Sequence, residues 1–101
     1  MPWFIKTERF TNKTLSLTLQ QRKELLKSHR LWVKSLCHLD RRISSGYLVD
    51  QNLEPGGGGL MLFEAESYQE AKNIVLQDPM ITEELVEWNL QQWLPVEGNV
   101  I

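Results

Sequence analysis

Two residues far apart in the chain, His29 and Asp78, have side chains suited to acid–base chemistry. An imidazole takes up and releases a proton near neutral pH, and a carboxylate can orient the ring and stabilise its charged form. We therefore consider His29 a candidate catalytic acid/base and Asp78 the residue that orients it. Each also has a structural interpretation, because a buried histidine can simply be hydrogen-bonded to its surroundings and Asp78 can cap a turn that begins at Pro79. Position alone favours the structural role for His29.

Four further residues are candidates for binding a small substrate near this pair. Trp32 and Trp88 could wall an apolar pocket, although tryptophans belong more often to a core or an interface. Asp50 could line a cleft, but a charged residue on a strand also protects a sheet edge, which is the interpretation we favour. Ser28 precedes His29, yet adjacent helical residues point about 100° apart, so no Ser/His/Asp nucleophile set is predicted.

No metal or cofactor site is predicted. His38 lies half a helical turn away from His29 and should face solvent, so the two cannot bind one metal ion on the same helix, and Cys37 is the only cysteine. The run Gly56–Gly59 lacks the lysine and the serine or threonine of a phosphate-binding loop. Because it precedes a strand pattern, we interpret this run as a flexible hairpin turn. We expect the protein to use no cofactor.

The element that must position His29 is a long amphipathic helix, predicted from Thr18 to Ser44. Thr18 is the predicted N-cap, and Gly46 is the predicted stop. Residues that recur at steps of three and four lie on one helical face. Along this segment they are Leu25, His29, Trp32, Leu36, Leu39 and Ile43.

Four strands and a second helix complete the pattern. Ser67 and Glu70 form a predicted capping box at the start of the second helix. That helix should end near residue 77, because Pro79 disfavours a helical conformation at Asp78, and a short turn should follow. The strands are predicted at residues 3–10, 47–53, 60–63 and 86–96.

The order of these elements is the ferredoxin-like βαββαβ pattern of the α+β class. In this topology two helices pack on one face of a four-stranded antiparallel sheet, and the first and third strands lie in its centre. The apolar third strand agrees with a central position. The other face of the sheet is then uncovered and carries apolar residues, so we expect a second copy of the chain to cover it. The sequence thus predicts a homodimer joined through its sheet faces.

Composition limits the expected partners and location. The 101 residues suit one domain spanning 1–101, and 42% hydrophobic with 24% charged residues is typical of a globular protein. With 11 basic and 13 acidic residues, the net charge of -2 argues against nucleic-acid binding. No run approaches the ~20 apolar residues of a membrane helix, and the first residues do not follow the pattern of a signal peptide. We expect no membrane attachment and a cytoplasmic location.

The stretch from His29 to Trp93 resembles the YCII-related (YciI-like) family of small dimeric α+β barrel proteins. The resemblance implies a ferredoxin-like protomer, a homodimer joined through sheet faces, and a cleft between helix and sheet. It also implies that His29 and Asp78 match the characteristic histidine and aspartate of the family, which favours a functional role for His29. The matching segments are His29-Arg30-Leu31, Ser45-Gly46-Tyr47-Leu48-Val49, Gly58-Gly59-Leu60-Met61-Leu62-Phe63-Glu64-Ala65-Glu66-Ser67, Glu70-Ala71, Gln77-Asp78-Pro79 and Trp93.

Two positions depart from the family pattern. Family members commonly have a small residue, Gly and Pro after the second strand, where this chain has Asp50-Gln51-Asn52-Leu53. An arginine often found three residues before the histidine is Leu26 here. Both differences alter the expected pocket lining.

Two functional hypotheses follow. The first is a cofactor-independent enzyme in which His29 and Asp78 carry isomerase- or lyase-like proton transfer on a small molecule. The alternative is a non-catalytic small-ligand-binding or protein-interaction module, in which both residues serve the fold.

Overall fold

Four antiparallel strands form the single sheet of the computed structural model, which describes residues 1–37 and 42–98. The strand order is β2-β3-β1-β4, so the first and third strands are central, as predicted. The ferredoxin-like α+β class is confirmed. In chain order the elements are β1 (Trp3–Phe10), α1 (Asn12–Leu15), α2 (Leu19–Cys37), β2 (Ile43–Val49), β3 (Pro55–Glu64), α3 (Tyr68–Val75), α4 (Pro79–Thr82) and β4 (Val86–Trp93).

Successive residues of β1 point to opposite faces of the sheet. Phe4, which pairs with Phe63, and Lys6, which pairs with Met61, are buried on the face that carries the helices. The next residue on the same row of β1 is Glu8. A charged pair therefore lies in the apolar row of a central strand.

The helices close that face over a continuous core. Removing large apolar side chains from water stabilises the fold by about 1.5–3 kcal/mol for each residue. A second cluster of Met80, Leu85 and Val86 extends the core toward Leu17 and Leu25. The main cluster contains Phe4, Met61, Phe63, Ala65, Ala71, Val75 and Leu90, against which Trp32, Ile43, Ile74, Ile81 and Trp88 pack.

The start of α2 agrees with the sequence. The Thr18 hydroxyl accepts a hydrogen bond from the Gln21 N–H at 3.1 Å, and the Thr18 N–H donates to Gln21 Oε1 at 2.9 Å. This reciprocal capping satisfies N–H groups that the first turn leaves unpaired. The predicted N-cap is therefore confirmed.

The predicted end of this helix, at Ser44, is wrong, because Ile43 and Ser44 belong to β2; the described part of α2 runs to Cys37. Ile43 continues the helical spacing, but its place is decided by pairing with Phe63 in β3. The predictions for His38 and Leu39 concern residues outside the described ranges.

Strand β2 begins four residues earlier than predicted, at Ile43. The predictions for Gly46 and Asp50 are therefore also corrected. Gly46 does not stop a helix; it lies inside β2 and pairs with Leu60. Asp50 lies beyond the end of β2, in a turn, where Oδ1 accepts from the N–H groups of Asn52 at 2.8 Å and Glu54 at 3.1 Å. Aspartate stabilises such a turn by replacing backbone acceptors, so Asp50 is not a strand residue.

The glycine run belongs to a strand, which corrects the predicted turn. Strand β3 includes the run, and its last two residues, Gly58 and Gly59, pair with β1 on one side and with β2 on the other. At Gly58 a Cβ atom would collide with the carbonyl oxygen of Glu8. At Gly59 a Cβ would lie 3.0 Å from Glu8 Oε1 and 3.1 Å from the Gly46 carbonyl oxygen. Close backbone approach thus requires glycine at position 58, and position 59 leaves little room for a side chain.

The remaining elements differ from the predictions at their ends. The connection after β1 contains the short helix α1, which the sequence pattern did not predict. Helix α3 begins as predicted, since the Glu70 N–H donates to Ser67 Oγ at 3.1 Å. Strand β4 ends at Trp93, so Leu94 and Val96 lie beyond it and are exposed. Within the described ranges, no helix is long and apolar enough to cross a membrane.

Candidate functional site

His29 and Asp78 meet beneath α2, although they are 49 residues apart in the sequence. His29 lies on the face of α2 that points toward the sheet. Pro79, after the end of α3, is the first residue of α4, and Asp78 is the N-cap of α4. His29 Nδ1 lies 2.8 Å from Asp78 Oδ1, which also accepts the Met80 N–H at 3.0 Å. Asp78 thus makes both contacts that the sequence offered as alternatives: it caps a turn and it holds His29.

A buried lysine completes the contacts of this carboxylate. Lys6 Nζ donates to Asp78 Oδ2 at 2.9 Å, and its side chain is only 1% exposed. The same ammonium lies 3.3 Å from Glu8 Oε2. A buried charge is tolerated when it is paired and hydrogen-bonded, and here one cation serves two carboxylates.

The environment of Asp78 keeps it ionised. Burial alone would raise the pKa of this carboxyl, because removal from water disfavours the charged form. The hydrogen bond from His29 and the charge and hydrogen bond of Lys6 outweigh that effect, so the pKa lies below its ordinary value.

The ionised carboxylate determines which nitrogen of His29 carries the proton. An ionised oxygen can only accept a hydrogen bond, so we assign the proton of the neutral ring to Nδ1. Nε2 then holds a lone pair, and no group in residues 1–37 or 42–98 hydrogen-bonds to it. In this arrangement Asp78 fixes the orientation of the ring through Nδ1, and Nε2 is the nitrogen that can act as a base.

The charges of the cluster do not balance while the ring of His29 is neutral. With a neutral imidazole, Lys6 (+1), Asp78 (-1) and Glu8 (-1) sum to -1. A proton on His29 brings the sum of the four groups to zero. An imidazolium formed during a reaction would therefore face neighbouring groups whose net charge is of opposite sign.

His29 lies on the wall of a cavity of about 340 Å³ between α2 and the sheet. Apolar side chains make most of the lining, and the exposed residues Arg30 and Lys34 of α2 also contribute to it. Such a cavity is of the size and character that binds small molecules. It is lined by Glu8, Phe10, Leu26, His29, Arg30, Val33, Lys34, Cys37, Ser45, Gly46, Tyr47, Gly58 and Met80.

Trp32 supports the site without lining the cavity. Its ring centroid is 5.8 Å from that of His29, and Lys6 Nζ lies 5.7 Å from the Trp32 ring. This cation–π contact helps to hold the buried ammonium. The indole N–H of Trp32 is buried without a hydrogen-bond partner in the described part of the chain.

The other three predicted substrate-binding residues do not line this cavity. Trp88 packs against both clusters of the core. Ser28 is exposed on α2, and Asp50 holds the turn between β2 and β3. The structure brings together His29 and Asp78, with Trp32 beside them, and leaves Ser28, Asp50 and Trp88 outside.

Sequence reasoning missed Lys6 and Glu8. A signal was present: both lie on the row of β1 that also holds Phe4 and Phe10, and charges are costly in the inner row of a central strand. It also missed that Gly59 leaves space for the Glu8 carboxylate. Among the residues that the structure describes, no group of three or more histidine, cysteine or acidic side chains could hold a metal ion.

Comparisons with known proteins identify the fold and no closer relationship. No family model matches the chain, and no curated protein sequence is similar to it. The similar solved structures include 5-chloro-2-hydroxyhydroquinone dehydrochlorinase (TftG) of Burkholderia phenoliruptrix, in complex with 2,5-dihydroxybenzoquinone. It has 19% identity and a TM-score of 0.67 over 91% of this chain and 93% of that one.

Two further structures share the fold over nearly the whole chain. An Arabidopsis thaliana protein has 12% identity and a TM-score of 0.56, covering 99% of this chain and 100% of its own. A dimeric ferredoxin-like protein from an uncultured marine organism has 14% identity and a TM-score of 0.51, covering 98% and 100%. At these identities the similarity shows a shared fold.

Proposed function

We propose that this chain is a cofactor-independent enzyme that uses His29, oriented by Asp78, to move a proton on a small, mostly apolar molecule. One observation carries the proposal. The imidazole stands on the wall of a cavity of about 340 Å³, with Nδ1 held 2.8 Å from a buried carboxylate. Nε2 is left without a partner among the described residues.

The reaction that suits this site is an isomerisation or an elimination. Nε2 takes a proton from an acidic carbon or hydroxyl of the bound molecule, and the electron pair of the broken bond forms a new double bond. The imidazolium, held by Asp78, then returns the proton to a different atom, or a leaving group departs with its own electron pair. TftG, which shares the fold, is a dehydrochlorinase and therefore a small-molecule enzyme.

The resemblance to the YCII-related family remains part of this proposal, because His29 and Asp78 match the histidine and aspartate of that family. We also propose a cytoplasmic location, where a free thiol such as exposed Cys37 stays reduced.

The test compares the rate of proton transfer in the wild type with that in a variant that lacks the imidazole of His29. Two compounds serve as probes: phenylpyruvate, followed by ultraviolet absorbance for enol–keto conversion, and chlorohydroquinone, followed for release of chloride. We expect His29→Gln to lower kcat/KM by at least about 100-fold, the usual contribution of a general base. Lys27→Gln, on the exposed surface of α2, should leave the rate unchanged. Equal rates for wild type and His29→Gln would show that His29 is not the base.

A non-catalytic ligand-binding or interaction module is the second candidate. The observation in its favour is that Asp78 caps α4 and pairs with Lys6, which are structural tasks. Under this alternative, His29→Gln lowers the melting temperature, and no compound that binds in the cavity is converted.

We also infer that a second copy of the chain covers the open face of the sheet. Ile5, Leu60, Leu62 and Trp93 line a broad groove there, on the face opposite the core. One structure that shares the fold is described as a dimeric ferredoxin-like protein. An apolar sheet face of this kind favours association with a copy of itself.

A further inference from the structure

We propose that Glu8 is a ligand-binding residue of the cavity and that it selects small apolar rings carrying a hydroxyl group. The inference rests on the proposed function, because it names the class of substrate that the same cavity would take.

The Glu8 carboxylate is a nearly buried acceptor to which no described residue donates a hydrogen bond. Its side chain is 11% exposed, and neither oxygen accepts a hydrogen bond from the described ranges 1–37 and 42–98. Oε2 is buried 3.3 Å from Lys6 Nζ, but this contact lacks hydrogen-bond geometry. The hydrogen bond of Lys6 goes to Asp78 instead.

A carboxylate in this state requires donors. An ionised carboxylate has about four acceptor positions, and burying it with these positions empty is unfavourable. The ammonium of Lys6 balances the charge of Glu8 without satisfying its oxygens. A glutamate with a purely structural task would be expected to accept hydrogen bonds from the backbone or from neighbouring side chains, as Asp78 does.

The surroundings leave room for a ligand to supply the missing donor. Glu8 lines the same cavity as His29, which has a volume of about 340 Å³. A ring in the cavity meets the lone pair of Nε2 and the Glu8 carboxylate. A hydroxyl on that ring can donate to Glu8, while a methyl ether of similar shape leaves the carboxylate unpaired.

The experiment compares three para-substituted benzenes that differ in donor count. Hydroquinone has two O–H donors, 4-methoxyphenol has one and 1,4-dimethoxybenzene has none. Each is titrated into the ¹⁵N-labelled chain, and amide chemical shifts give both the affinity and the location. We expect hydroquinone to bind at least about tenfold more tightly than 1,4-dimethoxybenzene, with shifts at Glu8, His29 and Ser45, because hydrogen bonds to charged groups contribute strongly.

Substitution of Glu8 should reduce this preference. Glu8→Gln keeps an acceptor but loses the charge, so we expect the ratio of affinities to fall about fivefold. Glu8→Leu should abolish the preference, and the spectrum of each variant shows whether it is folded. Glu87→Gln makes the same change of charge on an exposed side chain and should keep the full preference.

Three results would overturn the inference. They are a preference unchanged by Glu8→Gln, equal binding of hydroquinone and 1,4-dimethoxybenzene to the wild type, and no cavity shifts with any of the three compounds. The first two leave the proposed function standing, because that depends on the loss of proton transfer in His29→Gln.

Discussion

Asp78 is the residue on which the candidate site and part of the fold both depend. Its two oxygens accept from His29, Lys6 and the Met80 N–H, and its side chain is fully buried. Removal of one partner from such a cluster leaves the others buried without compensation, which costs about 3–5 kcal/mol. The contacts that orient the proposed base therefore also contribute to stability.

The first prediction concerns the pH dependence of that contribution. The pKa of Asp78 in the folded state lies below its ordinary value of 3.8. The stabilisation is therefore fully present above about pH 4 and is lost as the pH falls through the lower, folded-state pKa. We expect Asp78→Asn to lower the free energy of unfolding by about 3 kcal/mol at pH 7, and by clearly less at pH 3.

Urea unfolding at pH 7, 5, 4 and 3 measures this difference. Glu87→Gln is the matched control, since Glu87 is exposed and its pair with Arg9 is weak. A gap between wild type and Asp78→Asn that stays constant down to pH 3 would contradict the interpretation.

At the scale of elements, the glycine run of β3 positions the site. Gly58 and Gly59 are buried where β1 and β3 pair, and they admit the backbone and the carboxylate of Glu8. The same two residues pair with β1 on one side and with β2 on the other. Because glycine has no side chain, these positions leave space for the Glu8 carboxylate in the centre of the sheet.

Two glycine substitutions test this account. A Cβ at Gly58 would meet the carbonyl oxygen of Glu8, while a Cβ at Gly46 in the neighbouring strand would have no atom within 4 Å. We expect Gly58→Ala to destabilise the fold by about 2 kcal/mol or more through overpacking. Gly46→Ala should be neutral or slightly stabilising, because alanine restricts the unfolded chain. Thermal and urea unfolding give both values, and equal effects of the two substitutions would contradict the close approach at Gly58.

At the scale of the whole molecule, helices cover one face of the sheet and the other carries an apolar groove. Ile5 and Leu62 lie opposite each other in β1 and β3, and Trp93, at the end of β4, is 40% exposed. Covering this face with a second sheet would remove these side chains from water without altering the cavity side.

We therefore expect the protein to be a dimer, and we expect one charged residue introduced on this face to disrupt it. Leu62→Glu should convert the protein to a monomer in sedimentation velocity experiments, because a buried unpaired carboxylate at the centre of the contact is unfavourable. Leu31→Glu, an equivalent change on the exposed side of α2, should leave the assembly unchanged. A wild-type protein that sediments as a monomer at high micromolar concentration would rule out this interface.

The amino-acid sequence by itself determined the features that depend on neighbouring residues. Thr18 and Ser67 start their helices because their side chains satisfy N–H groups within three residues. The periodic stripe placed His29 on the inner side of α2, and the order of elements predicted the central positions of β1 and β3. The caps and the periodicity are local signals, and the order of elements can be read along the chain, so all of them can be recognised without the fold.

Only the tertiary structure decided what depends on partners distant in the chain. The place of Ile43 and Ser44 in β2, and of Gly58 and Gly59 in β3, follows from strand pairing, which overrides local propensity. Lys6 and Glu8 resemble surface charges until β1 is placed beneath the helices with Asp78 beside them. Burial and ion pairing arise from the meeting of separate segments, and for that reason the composition of the site required the folded chain.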